Sequence, residues 1–185
     1  FKGIDYVFHL AGIKGSIEVT KSQPASFLVP LLMFNTNVLE SSRRNNVEKL
    51  VYTSSIGAYS SSEVFIETES RDGPPMDLAP GWAKRIAELQ ISTYHQQYGL
   101  DYLHIMPCNI FGENSDFNST NSHVLEALVR KLILSKKINS KEVVIWGDGL
   151  NRRAFITAKN LAINTVNLLE KNFSGTYNVG LGYDF

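Results

Sequence analysis

Two serines, Ser54 and Ser55, follow directly on the run Lys49-Leu50-Val51-Tyr52-Thr53, which reads as a short buried strand. A second polar group, Cys108-Asn109, closes the apolar stretch Leu100 to Pro107 in the same way. In doubly wound sheets ligands bind outside the carboxyl ends of strands, where loops vary over a rigid base, so hydroxyl and amide groups there are candidates for substrate contact. Ser55 could equally cap the segment that follows its strand. Arg153 offers a planar fork suited to a diphosphate, against the plainer reading of a surface arginine beside Arg152. Lys84 and Lys131 fall in helical stretches where solvated lysines are the default, and His123 stands at a helix start where a capping or surface role is common. His9 and His104 lie in apolar strands and read as core residues. Cys108 has no adjacent base and reads as a small hydrophobe rather than a nucleophile. No residue is assigned to a metal.

The elements that must position these groups alternate along the chain. Tyr6 to Gly12 reads as a first strand, and Leu31 to Arg44 as a helix ending in polar residues. Gly81 to Tyr98 is helical in pattern, with Gly99 as its stop. Further along come a strand at Leu100 to Met106, a helix from Ser122 to Lys136, a strand at Val143 to Trp146, a helix from Lys159 to Glu170 and a last strand near Tyr177. Strands alternating with helices predict an α/β fold with a doubly wound, mostly parallel sheet.

Composition narrows the partners. With 43% hydrophobic residues in 185, the chain is long enough to bury a core. Eighteen basic and eighteen acidic side chains cancel, so no overall field favours nucleic acid or an anionic membrane. One cysteine excludes an internal disulfide, and no stretch is apolar and long enough to span a bilayer, which together suggest a reducing, cytoplasmic setting. A parallel strand normally has neighbours on both sides, so a chain opening on one is expected to be an interior piece of a longer protein.

In order and spacing these residues resemble the extended short-chain dehydrogenase/reductase family of nucleotide-sugar epimerases, dehydratases and reductases. Val7-Phe8-His9-Leu10-Ala11-Gly12 is similar to the strand ending beside the nicotinamide, Asn37 to the asparagine of the next helix, and Ser55, four before Tyr59, to the serine of Ser-x-x-x-Tyr. Lys84 within Gly81-Trp82-Ala83-Lys84-Arg85 resembles the lysine of Tyr-x-x-x-Lys, and Asn109 the asparagine of Pro-x-Asn-x-Phe-Gly. Gly15-Ser16-Ile17, Asn121-Ser122-His123-Val124-Leu125 and Trp146-Gly147-Asp148-Gly149 with Arg153-Ala154-Phe155 look most like the GDP-L-fucose synthase group.

The resemblance implies a Rossmann-like cofactor unit over residues 1–112, cut at its amino end, and a partial substrate-binding region over 113–185 interleaved with the last strands. It implies NAD or NADP held by Leu10, Ala11, Gly12, Lys84 and Pro107, with Ser55, Lys84 and His123 in catalysis. A nucleotide sugar would meet Asn109, Lys131 and Arg153. Nucleic acid and membrane are not expected as partners, and a homodimer stays open.

The sequence also departs from the family. Hydride transfer at a sugar carbon needs a group that moves the hydroxyl proton, and the family uses a tyrosine tuned by the lysine. The position four before Lys84 is Pro80, and reading Ala79-Pro80 as a retained proline with a deleted tyrosine also leaves no tyrosine in that loop. Gly57 stands where fucose synthases place a cysteine, Lys159 where the family usually has aspartate, and no Gly-x-x-Gly-x-x-Gly phosphate loop occurs in the chain. Without that loop's amides the 185 residues alone should bind dinucleotide poorly. Two readings follow: an NAD(P)-dependent epimerase or reductase fragment altered at its tyrosine, or an inactive relative that keeps the nucleotide-sugar pocket.

Overall fold

The computed structural model describes residues 1–68, 72–117, 122–145 and 147–184. In chain order the elements are β1 (Tyr6–His9), α1 (Ile17–Ser22), α2 (Pro24–Arg44), β2 (Lys49–Thr53), a 3-10 turn (Ile56–Ala58), α3 (Leu78–Tyr98), β3 (Asp101–Pro107), β4 (Asn109–Phe111), α4 (Val124–Lys137), β5 (Phe155–Thr157), α5 (Ala158–Glu170) and β6 (Gly175–Val179).

Four strands form one sheet in the order β1-β2-β3-β6, with every pairing parallel. Successive strand residues point to opposite faces, so β2 divides its side chains between two cores. On one face Leu50 and Tyr52 pack with Leu39 of α2 and Ala87 and Ile91 of α3. On the other, Val51 joins Leu103, Ile105 and Val179 beneath Leu161, Leu168 and Leu169 of α5. Burial on both faces is why β2 and β3 read as unbroken apolar runs.

The register places His9, Tyr52, His104 and Thr176 side by side across all four strands. A row of polar groups under two helices must satisfy itself. His9 Nε2 pairs with Asn35 Oδ1 at 2.8 Å, Asn35 Nδ2 donates to the Tyr52 oxygen at 3.3 Å, and His104 Nδ1 meets Thr176 Oγ1 at 3.1 Å. Burial lowers the His9 pKa, which the Asn35 contact partly offsets, and burial raises that of Tyr52.

β4 and β5 pair in a separate two-stranded parallel sheet, Asn109 opposite Phe155. Neither this small sheet nor α1 is evident in the sequence, because three and six residues are too few to show a period. α2 begins at Pro24, earlier than the apolar pattern suggests, with proline in the first turn where its missing N–H costs nothing. α3 stops at Gly99 in the left-handed region, φ 71°, as expected.

The strand expected at Val143 to Trp146 does not form over residues 143–145, and Trp146 lies outside the described residues. That segment has strand-like residue types but no ladder partner. The carbonyl of Val144 instead accepts from Lys131 Nζ at 3.0 Å.

Candidate active site

The carboxyl edge of the main sheet is where the expected groups collect. Leu10, Ala11 and Gly12 leave β1 as an exposed loop, and Pro107 ends β3 as a fully buried residue. Thr53 and Ser54, at the end of β2, have hydroxyls that are buried without a hydrogen-bond partner. Such groups are uncommon in native proteins and are candidates for ligand contact.

Ser55 caps the 3-10 turn, its Oγ accepting from the amide of Gly57 at 3.0 Å. The capping reading is therefore correct in geometry, and it fixes the hydroxyl at the sheet edge. α3 comes down onto this turn so closely that a Cβ at Gly81 would lie 2.6 Å from Pro75 Cβ and 2.8 Å from the carbonyl oxygen of Gly57. The amide of Asp77 donates to that same carbonyl at 3.0 Å. Glycine at 81 is what permits the contact.

Lys84 sits on α3 two turns beyond Asp77. Burial lowers its pKa, and the negative charge of Asp77 acts in the opposite direction. No hydrogen bond engages its ammonium among the described residues, so the three donors of a half-buried lysine remain available to a ligand. Pro80, four residues before Lys84, is buried in the first turn of α3. Tyr59, just after the turn, is committed elsewhere: it donates to Asn178 Oδ1 at 2.9 Å and stacks on Phe65.

Of the remaining expected residues, Asn109 lies on the smaller sheet and Arg153 just before its strand β5, while His123 and Lys131 belong to α4. Asn109 Nδ2 donates to the carbonyl of Ala154 at 2.9 Å, bracing β4 against β5. His123 is exposed at the start of α4 and makes no capping bond. Arg153 is exposed and turns back to the carbonyl of Arg152 at 2.7 Å. Lys131 is held by Val144 as described, and Asn121 lies outside the described residues. No hydrogen bond joins His123 or Arg153 to Ser55 or Lys84 among the described residues. Asn37 is exposed; the asparagine that is buried and bonded on α2 is Asn35, one helical half-turn away.

Two polar groups of this edge escape a reading of the sequence alone, Asp77 and the orphan hydroxyl of Thr53. An aspartate before a helix reads as a cap, and nothing in the string 75–81 marks it as part of a site. The only available signal is indirect, the bare Cα at Gly57.

Comparison with known proteins decides the family. The model of the NAD dependent epimerase/dehydratase family matches residues 1–180. The chain belongs to that family. It is 30% identical over 176 residues to the GDP-L-fucose synthase of Escherichia coli strain K12, covering 90% of this chain and 53% of that protein. To the GDP-L-colitose synthase of Yersinia pseudotuberculosis it is 30% identical over 192 residues, covering 98% and 61%. The chain thus spans between half and two thirds of these relatives. Among solved structures it superposes on a UDP-N-acetylglucosamine 4-epimerase from Methanobrevibacter ruminantium M1, in complex with UDP-N-acetylmuramic acid, with TM-score 0.84 and 29% identity over 100% of this chain and 57% of the other. A GDP-mannoheptose C4 reductase from Campylobacter jejuni with NADP bound matches with TM-score 0.83 and 25% identity, over 98% of this chain and 66% of the other. The family's α/β Rossmann fold is therefore common to epimerases and reductases of nucleotide sugars, and no helix of the described residues is long and apolar enough to cross a membrane.

Proposed function

We propose that this chain is the reacting-edge portion of an NAD(P)-dependent nucleotide-sugar epimerase or reductase related to GDP-L-fucose synthase, with Pro80 in place of the usual tyrosine. The observation that carries the proposal is the available ammonium of Lys84, placed on α3 where that helix packs onto the turn holding Ser55. A half-buried ammonium that no protein group hydrogen-bonds is costly, and a ligand supplying acceptor oxygens offsets that cost.

The residues present suit the cofactor at its nicotinamide end. Lys84 and the hydroxyls of Thr53 and Ser54 are donors without protein acceptors, and the Leu10-Ala11-Gly12 loop and Pro107 leave the same edge of the sheet. When bound, the cofactor supplies a two-electron hydride acceptor or donor. Ser55 orients the sugar oxygen undergoing oxidation or reduction. The region 113–185 contributes β5, which pairs with the strand β4 that carries Asn109, with His123, Lys131 and Arg153 facing the nucleotide sugar once it is bound. Residues 1–112 then form the cofactor unit and 113–185 part of the substrate region.

A second reading is favoured by one specific feature. Pro80 and Gly57 remove the ionisable side chains at two family positions, so the same pocket could bind a nucleotide sugar without turning it over. The full-length protein, assayed for cofactor oxidation or reduction and for epimerisation with GDP-L-fucose, UDP-glucose and UDP-N-acetylglucosamine, separates the two. Turnover of any of them supports the first reading. Calorimetric binding without turnover supports the second, and neither binding nor turnover rejects both.

A homodimer completes the proposal. Val29 and Met33 on α2 and Trp82, Ile86 and Leu89 on α3 are all exposed, and the two helices lie side by side, tied by Gln90 to Thr36 at 2.8 Å. An apolar face of this kind on neighbouring helices suits a self-complementary contact with a second copy.

A further inference from the structure

We infer that Asp77 is the acid–base residue of this site, its carboxylate moving the proton that a tyrosine at position 80 would otherwise move. The inference rests on the reading of the chain as part of a working nucleotide-sugar enzyme.

Aspartate at the start of a helix ordinarily accepts from the amides of the first turn. Asp77 occupies that place on α3 and makes no such bond. Its carboxylate lies over the Cα of Gly57: a Cβ built there would overlap Asp77 Oδ2 and Cγ. The position at which fucose synthases carry a cysteine is therefore filled, from across the turn, by an ionisable group of a different residue. Gly57 in turn donates its amide to Ser55 Oγ at 3.0 Å, so the carboxylate and the serine flank one residue.

Helix geometry explains why Asp77 can serve. Residues 77, 80 and 84 are spaced three and four apart and fall along one face of α3. A helical side chain covers the turn that precedes its own Cα, so a tyrosine at 80 would carry its hydroxyl over the start of the helix. That is where Asp77 lies. Lys84, which in the family acts on the tyrosine, lies two turns along the same helix, where the charge of Asp77 favours its charged form against the effect of burial. Leu78, immediately after Asp77, holds φ at 40°, a left-handed value that a branched side chain adopts only under constraint.

The proton accounting closes. As a sugar carbinol becomes a ketone, its O–H bond breaks, the proton passes to Asp77 Oδ2, the freed pair forms the second C–O bond, and the carbon's hydrogen would leave as hydride to an oxidised nicotinamide, were that cofactor bound. The exposed carboxyl then returns the proton to solvent. Ketone reduction runs the same transfers in reverse. Positioned proton transfer of this kind contributes about 10²- to 10⁴-fold to rate.

Asp77→Asn is the informative variant, since asparagine starts helices as well as aspartate does and should leave the fold intact. In the full-length protein, with whichever of GDP-L-fucose, UDP-glucose or UDP-N-acetylglucosamine the wild type turns over, kcat should fall by about 100-fold or more. Calorimetric affinity for that nucleotide sugar should stay within about threefold, well under the tenfold that 1.4 kcal/mol represents. Asp77→Gly should be equally slow and should regain activity on addition of formate, a small carboxylate that can occupy the vacated volume. A structural role would not respond to formate. An active wild type with unchanged kcat in Asp77→Asn, or with no formate rescue of Asp77→Gly, overturns the inference and leaves the proposed function standing. An inactive wild type overturns both.

Discussion

The carboxylate of Asp77 rests directly on Gly57, and a hydrogen bond of 3.0 Å from the Asp77 amide to the Gly57 carbonyl locks the two backbones together. Through this contact the amino end of α3 is fastened to the turn that follows β2, bringing Lys84 and Ser55 into one neighbourhood. Neither residue could be positioned by its own element alone. The site is a property of the α3 contact.

That contact tolerates no added volume. Gly81→Ala would drive a Cβ against Pro75 and the Gly57 carbonyl, both of which are held by packing or by the backbone. The expected loss is about 1–3 kcal/mol of stability, the usual range for overpacking. Denaturant unfolding measures it; a loss below about 0.5 kcal/mol, the range of ordinary surface changes, would show that α3 can shift at no cost.

The polar row beneath α2 gives a pH signature. His9 has a pKa lowered by burial, so the unfolded chain binds its proton more readily than the folded one. Its contribution to stability is therefore complete above the ordinary histidine value of about 6.5 and is lost as pH falls below it toward the lowered folded value. Unfolding free energy should fall more steeply between pH 7 and 5 for wild type than for His9→Gln, by up to about 1.4 kcal/mol per pH unit. Parallel curves would show that His9 is not held neutral.

The exposed face of α2 and α3 predicts self-association. Sedimentation of the full-length protein should give the mass of a dimer, and Met33→Glu with Leu89→Glu should shift it to monomer, because charge buried in an apolar contact is penalised without a partner. A monomeric wild type at micromolar concentration would remove this face from the account.

Much of the fold was legible because its strands are buried on both sides. Lys49 to Thr53 is a strand with the bounds its residues suggest, and Gly99 ends α3 as its glycine requires. The structure places Ser55 just after its strand and Lys84 on a helix, as their sequence contexts suggest. Asn35 shares the helix's apolar side and is buried there against His9 and Tyr52, while Asn37, given by the family resemblance, is exposed. Val143 to Ile145 looks like a strand and lacks a partner to pair with. Asp77 was invisible for a further reason: its role depends on the side chain that Gly57 does not have.

The most direct test of the central claim is Lys84→Met in the full-length protein. The available ammonium of Lys84 should be a ligand contact rather than a structural one, so calorimetric affinity for NADP or NAD should weaken by about tenfold or more, the equivalent of 1.4 kcal/mol. Thermal stability should hold or rise, since a buried charge has been removed. Unchanged cofactor affinity together with a destabilised fold would contradict the account, showing that Lys84 serves the core and that this edge is not the reacting end of the molecule.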